Sequence, residues 1–361
     1  MFVPESNLFC FTVRRGPGGG RAEGVSLRYT AIALLGLAEI SESQAREVLS
    51  GKTAPEVGDA LIAQSLYHTN LGNVSLILWA ANRLGLEGRR QVLERLRALD
   101  PVNGIHPTVE IAWALTALSL EDAESDLSRM VAARLMSSFR GGTFPHNPPD
   151  APAPFLRGHV CCFADLVYPT QALAHFYRAT GYKPAMDIAV RCAEFMCDTQ
   201  GANGQWWWHF DSRTSAVVEG YPVYAVHQDS MAPMAFFDLG DACTDRHFRA
   251  IVRGLDWLEA APELSGRSLL DDGGNLIWRK VARHEPGKLV RALNAAVSRV
   301  HRNLRMPGVD AIFKPGFVDY ECRPYHLGWI LYAWSRPSVE RFTAIESSAA
   351  TSDTMATPAQ S

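Results

Sequence analysis

The 361-residue sequence predicts an all-α protein, an α/α toroid in which about six helical hairpins surround a central cavity. Apolar residues recur at three- and four-residue spacing through most of the chain, whereas alternation over the length of a strand is scarce. Segments that are apolar on nearly all sides alternate with amphipathic ones, as expected for inner and outer helices. The unequal spacing of the apolar segments favours a closed ring over an open repeat of fixed period.

The predicted inner helices are the apolar segments, which start near residues 26, 73, 107, 169, 222 and 324. Four of them carry a proline where the first helical turn should lie, namely Pro107, Pro169, Pro222 and Pro324. Proline suits the first turn because its missing N–H would have no partner within the helix. Ser26 and Asn73 are residues that can cap the other two helices.

The predicted outer helices are amphipathic and cover residues 41–50, 87–99, 124–139, 183–200, 245–261 and 287–304. Long irregular connections lie at residues 141–162, 271–287 and 307–323. Connections of this length in a compact domain often form lids or the rim of a site. We expect one domain over residues 1–346, followed by a disordered Ser/Ala/Thr-rich tail over residues 347–361.

Composition excludes several classes of protein. The near balance of 35 Lys+Arg and 38 Asp+Glu gives no electrostatic reason to expect a nucleic acid partner. No apolar stretch approaches the roughly 20 residues of a transmembrane helix, and the N-terminus lacks the pattern of a secretory signal. Seven cysteines, an odd number, favour reduced thiols. We therefore expect a cytoplasmic protein that acts on a small molecule, with its oligomeric state left open.

A local motif follows the predicted outer helix that ends near residue 199. Gln200, Gly204 and Trp206 have the spacing Q-x-x-x-G-x-W. Glutamine can cap a helix end, glycine permits a turn, and tryptophan packs beneath it. This spacing resembles the QW repeat of terpenoid cyclases, such as squalene–hopene and oxidosqualene cyclases. The resemblance covers this one segment and implies the α/α toroid of that family, shared with prenyltransferase β-subunits and some carbohydrate-active enzymes.

The chemical motifs of these relatives are missing. The sequence lacks the Asp-x-Asp-Asp run of class II cyclases and the aspartate-rich motif by which class I synthases bind magnesium. Asp319, Cys322 and His326 supply the residue types of the prenyltransferase zinc site, but closer together than in that family. We therefore expect no metal site and no cofactor, with magnesium entering only if the substrate is a diphosphate.

The catalytic candidates are polar residues at or near the starts of inner helices, which a toroid gathers at one mouth of its cavity. Asp229 is the leading general acid and His227 its partner, with Glu110 and Asp211 as further candidates. A carboxylic acid among apolar and aromatic groups keeps its proton to higher pH and can donate it. Alternatively, the buried charges pair with one another and hold the ring closed.

The candidate substrate-binding residues are aromatic or polar and come from the same level of the fold. They are Arg28, Tyr29, Trp113, Gln171, Trp207, Trp208, Tyr224, Tyr325 and His326. Aromatic rings can stack on sugars or stabilise carbocations.

The resemblance favours a terpenoid-cyclase-like enzyme that cyclises or isomerises a largely apolar isoprenoid by proton transfer. One alternative is a carbohydrate-active hydrolase, lyase or epimerase that uses Asp211, Asp229 and Asp319. Another is a non-catalytic binding toroid. The cavity lining should distinguish these three functions. We expect an aromatic and aliphatic lining for a terpenoid enzyme, a polar lining with several carboxylates for a sugar enzyme, and a cavity filled with side chains for a binding toroid.

Overall fold

A ring of six inner helices forms the core of the protein and confirms the predicted α/α toroid. The computed structural model describes residues 1–16, 19–149, 151–152, 154–243, 245–301, 304, 306 and 308–355. Its helices are α1 (Leu27–Leu37), α2 (Glu42–Val48), α3 (Ala54–Ser65), α4 (Leu71–Arg83), α5 (Arg89–Ala98), α6 (Thr108–Asp122), α7 (Asp126–Ser137), α8 (Ala164–Thr180), α9 (Lys183–Asp198), α10 (Ala232–Ala242), α11 (Phe248–Ala260), α12 (Leu289–Val300), α13 (Val309–Ile312), α14 (Pro324–Ala333) and α15 (Arg336–Met355). A π-helical turn, His227–Met231, leads directly into α10.

The inner helices pack in the order α1, α4, α6, α8, α10 and α14, and α14 returns to α1. Gly36 of α1 and Gly328 of α14 lie at the point where the ring closes. A Cβ atom at Gly36 would clash with the carbonyl oxygen of Gly328, and one at Gly328 would lie 2.8 Å from the carbonyl oxygen of Ile32. The absence of side chains at these two positions therefore permits the close approach of the first and last inner helices.

The structure also contains short antiparallel strands, which lie before α1 and in the connections between helices. They are β1 (Phe2–Val3), β2 (Leu8–Gly16), β3 (Gly19–Ser26), β4 (Val160–Cys162), β5 (His209–Asp211), β6 (Val217–Glu219), β7 (Val223–Tyr224), β8 (Leu270–Asp271), β9 (Leu276–Ile277), β10 (Lys280–Arg283), β11 (Pro315–Asp319) and β12 (Glu321–Cys322). The β2–β3 hairpin pairs Phe9 with Ser26, and β12 adds to β2 by pairing Cys322 with Val13. The strands therefore join the N-terminus to the start of α14.

Two of the predicted helix starts are wrong, and a third is displaced, because α4 begins at Leu71 with Asn70 and not Asn73 as its N-cap. Pro169 lies inside α8, which begins at Ala164, and Pro222 follows a cis peptide bond in the connection before β7. Proline inside a helix removes a backbone hydrogen bond, so the sequence pattern favoured a start at Pro169 rather than upstream of it. As a result Gln171 lies in the middle of α8 and not in its first turn.

The C-terminal helix α15 continues to Met355, past the point where the sequence predicts a disordered tail. Residues 356–361 of that predicted tail lie outside the described residues. The division into one domain and a tail stays a prediction.

Gln200 and Trp206 make the packing contacts expected from their spacing. Gln200 Nε2 donates to the carbonyl oxygens of Gly204 at 2.6 Å and Ala250 at 2.9 Å. Trp206 is 1% exposed, and its Nε1 donates to the carbonyl oxygen of Met196 at 3.2 Å. These contacts tie the end of α9 to the start of α11.

Substitution of Trp206 by alanine is expected to lower the free energy of unfolding by about 3–5 kcal/mol, because it removes a large side chain from a close-packed site. Denaturant unfolding followed by circular dichroism measures this loss. Trp207→Ala, at a partly buried position in the same run, is the matched control and should cost less. A Trp206→Ala protein of unchanged stability would disprove the packing role.

Candidate active site

A cavity of about 340 Å³ opens at the N-terminal ends of the inner helices. We call it the central cavity. Its lining comes from the N-terminal halves of α1, α6, α8 and α14, from the π-helical turn before α10, and from strands and connections between the helices. The lining residues are Arg28, Tyr29, Ile32, Pro107, Val109, Glu110, Trp113, His146, Cys162, Ala164, Tyr168, Trp208, Tyr224, His227, Met231, Arg279 and Tyr325. Helix starts from distant parts of the sequence therefore converge on one space.

Eight of the site residues expected from the sequence line this cavity: Arg28, Tyr29, Glu110, Trp113, Trp208, Tyr224, His227 and Tyr325. Five others are absent from its lining: Gln171, Trp207, Asp211, Asp229 and His326. Sequence reasoning missed His146, which lies in the long connection between α7 and β4.

His227 occupies an apolar part of the lining. It is 4% exposed, and its ring centroid lies 4.6 Å from that of Phe163 and 5.1 Å from that of Tyr224. Its Nδ1 has no hydrogen-bond partner among the described residues. Burial, reinforced by nearby His326, lowers the pKa of His227 to about 3. The imidazole is therefore neutral at physiological pH, and one of its two ring nitrogens carries a lone pair.

His146 has the opposite environment. Its Nδ1 donates to the carboxylate of Asp165, at 3.2 Å from each oxygen. Asp165 lies in the first turn of α8, is fully buried, and also accepts from the backbone N–H of Cys162 at 2.8 Å. The hydrogen bond to Asp165 and its charge raise the pKa of His146. The pair therefore presents an imidazole that favours its protonated form at the cavity wall.

Glu110 is held by three donors. Its Oε1 accepts from Arg28 Nη2 at 3.2 Å and from Asn70 Nδ2 at 2.8 Å, and its Oε2 accepts from the backbone N–H of Gly72 at 3.2 Å. Arg28 also lies 5.0 Å from the ring centroid of Trp113. Glu110 therefore links α6 to α1 and α4 at the rim, as the charge-pairing interpretation of the sequence expects.

Asp229 pairs with His326 and not with His227. His326 Nε2 donates to the Asp229 carboxylate at 2.8 and 2.9 Å, and Ser230 Oγ donates to the same carboxylate at 2.6 Å. Asp229 is 6% exposed. The pair connects the π-helical turn to α14 behind the cavity wall, in a position suited to closing the ring.

Substitution of Asp229 by asparagine is expected to lower the free energy of unfolding by about 1–3 kcal/mol, because it removes the charge from a buried hydrogen-bonded pair. The melting temperature and the activity are measured on one preparation, with exposed Asp59→Asn as the control. We expect activity in proportion to folded protein. A well-folded but inactive Asp229→Asn protein would restore Asp229 as the acid.

The other two carboxylates considered from the sequence are also paired with cations. Asp211 accepts from Arg213 Nη2 at 2.7 Å and from Arg213 Nε at 3.0 Å, which helps to lower its pKa against the opposing effect of burial. Asp319 lies 2.9 Å from Lys280 Nζ. Neither carboxylate lines the central cavity.

Aromatic rings and one further arginine complete the lining. Tyr29 and Tyr325 have ring centroids 4.8 Å apart, and Trp208 and Tyr224 lie edge to face at 4.9 Å. Arg279 lies over the ring of Tyr224 and donates to Glu321 at 2.9 Å. The cavity thus combines aromatic faces with hydrogen-bond donors, a combination that suits a hydroxylated ligand.

One group of side chains near the rim has the types of a metal site. The ligand atoms of His146, Cys162 and Asp165 all lie within 4.8 Å of one another. However, the carboxylate of Asp165 already accepts hydrogen bonds from the imidazole and from the Cys162 N–H. Burial raises the pKa of the Cys162 thiol well above its usual value, which disfavours the thiolate that zinc requires. The contacts therefore fit a hydrogen-bonded group better than a metal centre.

The fold is similar to those of several solved enzymes. An unsaturated glucuronyl hydrolase specific for heparin aligns with a TM-score of 0.59 and 15% identity over 96% of this chain and 93% of its own. A cellobiose 2-epimerase from Bacillus thermoamylovorans aligns with a TM-score of 0.55 and 8% identity over 87% of this chain and 88% of its own. An α-1,6-mannanase of Salegentibacter sp. aligns with a TM-score of 0.53 and 12% identity over 94% of each chain. These similarities show the fold.

No family model matches the sequence, and no curated protein sequence matches it significantly. No helix in the described ranges has both the length and the apolar character needed to cross a membrane. The expected cytoplasmic location stays a prediction.

The predicted terpenoid-cyclase-like function is wrong. The structural neighbours are carbohydrate-active enzymes on an α/α toroid, in agreement with the alternative interpretation. Neither a family model nor a sequence relative supports the QW motif. The physical reason is that Gln200 and Trp206 pack the end of an outer helix, a structural task that any toroid must perform whatever its substrate.

Proposed function

We propose that the protein is a carbohydrate-active enzyme that epimerises or isomerises a reducing sugar by proton transfer in the central cavity. The neighbours named above are described as acting on saccharides, and the cavity volume of about 340 Å³ lies within the usual range for small-molecule sites. Trp208, Tyr224 and Tyr325 add aromatic surface to the lining, which suits the C–H surfaces of a sugar.

The observation that carries the proposal is the presence of two histidines with opposite environments in one cavity. His227 is buried among aromatic rings, whereas His146 is hydrogen-bonded to a buried carboxylate. Titratable groups whose environments separate their pKa values are suited to divide the roles of base and acid. A glycoside hydrolase would instead be expected to present two carboxylates across the bond, whereas Glu110 is the only acidic residue among the described residues of the lining.

In the proposed step, neutral His227 accepts the proton from the carbon next to the carbonyl of the open-chain sugar. Protonated His146 donates a proton to the carbonyl oxygen, so that the substrate becomes an enediol. Rotation of the enediol about the bond to the next carbon then presents its opposite face to His227. His227 returns a proton to the same carbon on that face, and His146 takes its proton back from the enediol hydroxyl as the carbonyl re-forms, which gives the epimer. If the proton instead adds to the former carbonyl carbon, the isomeric ketose forms, and His146 recovers its proton from a hydroxyl group. Negative charge that develops on the sugar favours the protonated form of His227 at that moment.

The test is incubation of the purified protein with aldohexoses and hexuronates in D₂O, followed by NMR. We expect a new epimer or ketose, with deuterium at the carbon next to the carbonyl. Exposed His284→Gln, whose side chain lines neither the central cavity nor its neighbour, is the control and should retain activity. Cleavage of oligosaccharides without deuterium incorporation would replace this proposal with a hydrolase.

A further inference from the structure

A second recess adjoins the central cavity on the side of the β4–β5 strands. It has a volume of about 420 Å³ and is lined by His146, Asn147, Pro154, Arg157, Gly158, Val160, Cys161, Cys162, Trp208, His209 and Arg291. We call it the arginine recess. It shares the lining residues His146, Cys162 and Trp208 with the central cavity. The two spaces therefore share a wall.

The recess is cationic and has no acidic counterpart. Arg157 and Arg291 line it, and none of the described residues in its lining is acidic. The two arginines of the central cavity differ, because Arg28 is paired with Glu110 and Arg279 with Glu321. Within the described ranges, no carboxylate lies within ion-pair distance of Arg157 or Arg291. Arg291 is partly buried, whereas Arg157 is exposed. A guanidinium group in a partly desolvated site is stabilised by an anion, so Arg291 gives the recess unused capacity for one.

The site is built from buried and stacked groups. Arg291 lies 4.1 Å from the ring centroid of Trp208, and the ring of His209 stacks on the same tryptophan at 4.0 Å. Arg291 Nε is buried without a hydrogen-bond partner among the described residues, and His209 Nδ1, on a side chain only 4% exposed, also has none. Trp208 therefore contacts both Arg291 and His209, beside polar atoms that lack partners.

We infer that the arginine recess binds an anionic substituent, a carboxylate or a sulfate half-ester, of the saccharide whose reducing end lies in the central cavity. Arg157 and Arg291 supply the planar donors that match the oxygens of such groups, and the imidazole of His209 forms part of the wall. Trp208 lines both spaces and lies between the two proposed subsites. This inference rests on the proposed function and narrows its substrate class to acidic saccharides.

The test uses calorimetric titration of the wild-type protein with D-glucuronate, glucose 6-sulfate and glucose. We expect at least one of the two anions to bind about 10-fold or more tightly than glucose, since a charge-assisted hydrogen bond is worth about that factor. The tighter of the two anions identifies the substituent as carboxylate or sulfate. The preference should weaken as the salt concentration rises, because salt screens charge interactions.

Substitutions of the two arginines test whether the arginine recess causes the tighter binding of the anionic sugar. Arg291→Gln and Arg157→Gln should each reduce affinity for the preferred anion by about 10-fold and leave affinity for glucose unchanged. Arg90→Gln, at an exposed position outside both spaces, should change neither affinity. Circular dichroism checks that the variants fold. Arg291→Lys retains the charge but lacks the planar guanidinium group, so its affinity for the preferred anion should lie between those of the wild type and Arg291→Gln.

Equal binding of all three sugars by the wild type, or an anion preference that survives both glutamine substitutions, would overturn the inference. Deuterium exchange measured on the same preparations keeps the two proposals apart. If glucose exchanges deuterium but neither anion binds more tightly than glucose, the anion-binding role of the arginine recess is refuted and the proposed function stands. Anion binding that depends on Arg291, without exchange on any sugar, would refute the proposed function and leave the recess as a binding site.

Discussion

Substitution of His227 by glutamine is expected to lower kcat/KM by about 10²- to 10⁴-fold, the usual contribution of a general base. His227 lines the central cavity, and burial keeps it neutral, with a pKa of about 3. Glutamine preserves much of the polar surface but cannot accept a proton from carbon. The loss should appear both in product formation and in deuterium incorporation from D₂O.

His247→Gln is the matched control for this prediction. His247 is also buried, it stacks on Phe236 at 5.4 Å, and burial lowers its pKa to about 4. It lines neither the central cavity nor the arginine recess. Any general cost of replacing a buried neutral histidine should therefore affect both variants, whereas the catalytic loss should affect His227→Gln alone. Full activity in a folded His227→Gln protein would remove His227 from the mechanism.

The sequence predicted the ring and much of the aromatic wall, because these depend on local patterns. Helical periodicity marks the inner helices, and residues such as Tyr224 and Tyr325 lie in or just before their first turns. His227 was found because a polar residue in an apolar helix requires a reason for its burial. Periodicity gives no such signal for His146, which lies in an irregular connection rich in proline.

The partners of charged residues could not be read from the sequence. His227 and Asp229 are two positions apart, yet Asp229 bonds to His326, a residue 97 positions away that the closure of the ring brings beside it. The partner of Asp165 could not be read from the sequence either, for a different reason. With the helix expected to start at Pro169, Asp165 fell in the preceding loop, whereas in the structure it lies in the first turn of α8 and holds His146.

Substitution of Asp165 by asparagine is expected to shift the alkaline limb of the pH profile of kcat/KM to lower pH. The hydrogen bond to Asp165 and its charge raise the pKa of His146, so His146 stays protonated to higher pH than an ordinary histidine. The proposed acid is active in its protonated form, and the rate should therefore fall as pH rises through this raised pKa. Without the Asp165 carboxylate the pKa of His146 falls, and the alkaline limb of the kcat/KM profile moves to lower pH.

His227, the proposed base, has a pKa of about 3, which lies well below neutral pH. Its titration therefore does not change kcat/KM in the pH range where His146 titrates. The wild-type profile should thus be level on the acid side for as long as the protein stays folded. At pH 7.5 we expect the Asp165→Asn protein to have a lower kcat/KM than the wild type and to recover most of the difference at lower pH. A purely structural role for Asp165 would lower the rate equally at every pH.

His146→Gln completes the test, because it removes the titrating group and not only its partner. We expect a fall of about 10²-fold or more in kcat/KM and a profile without the alkaline limb. Added chelator should leave the wild-type rate unchanged, since His146 and Asp165 act here through a hydrogen bond. If chelator abolishes activity and zinc restores it, the same two residues with Cys162 would be metal ligands. An alkaline limb that persists unshifted in Asp165→Asn would assign the acid to another group.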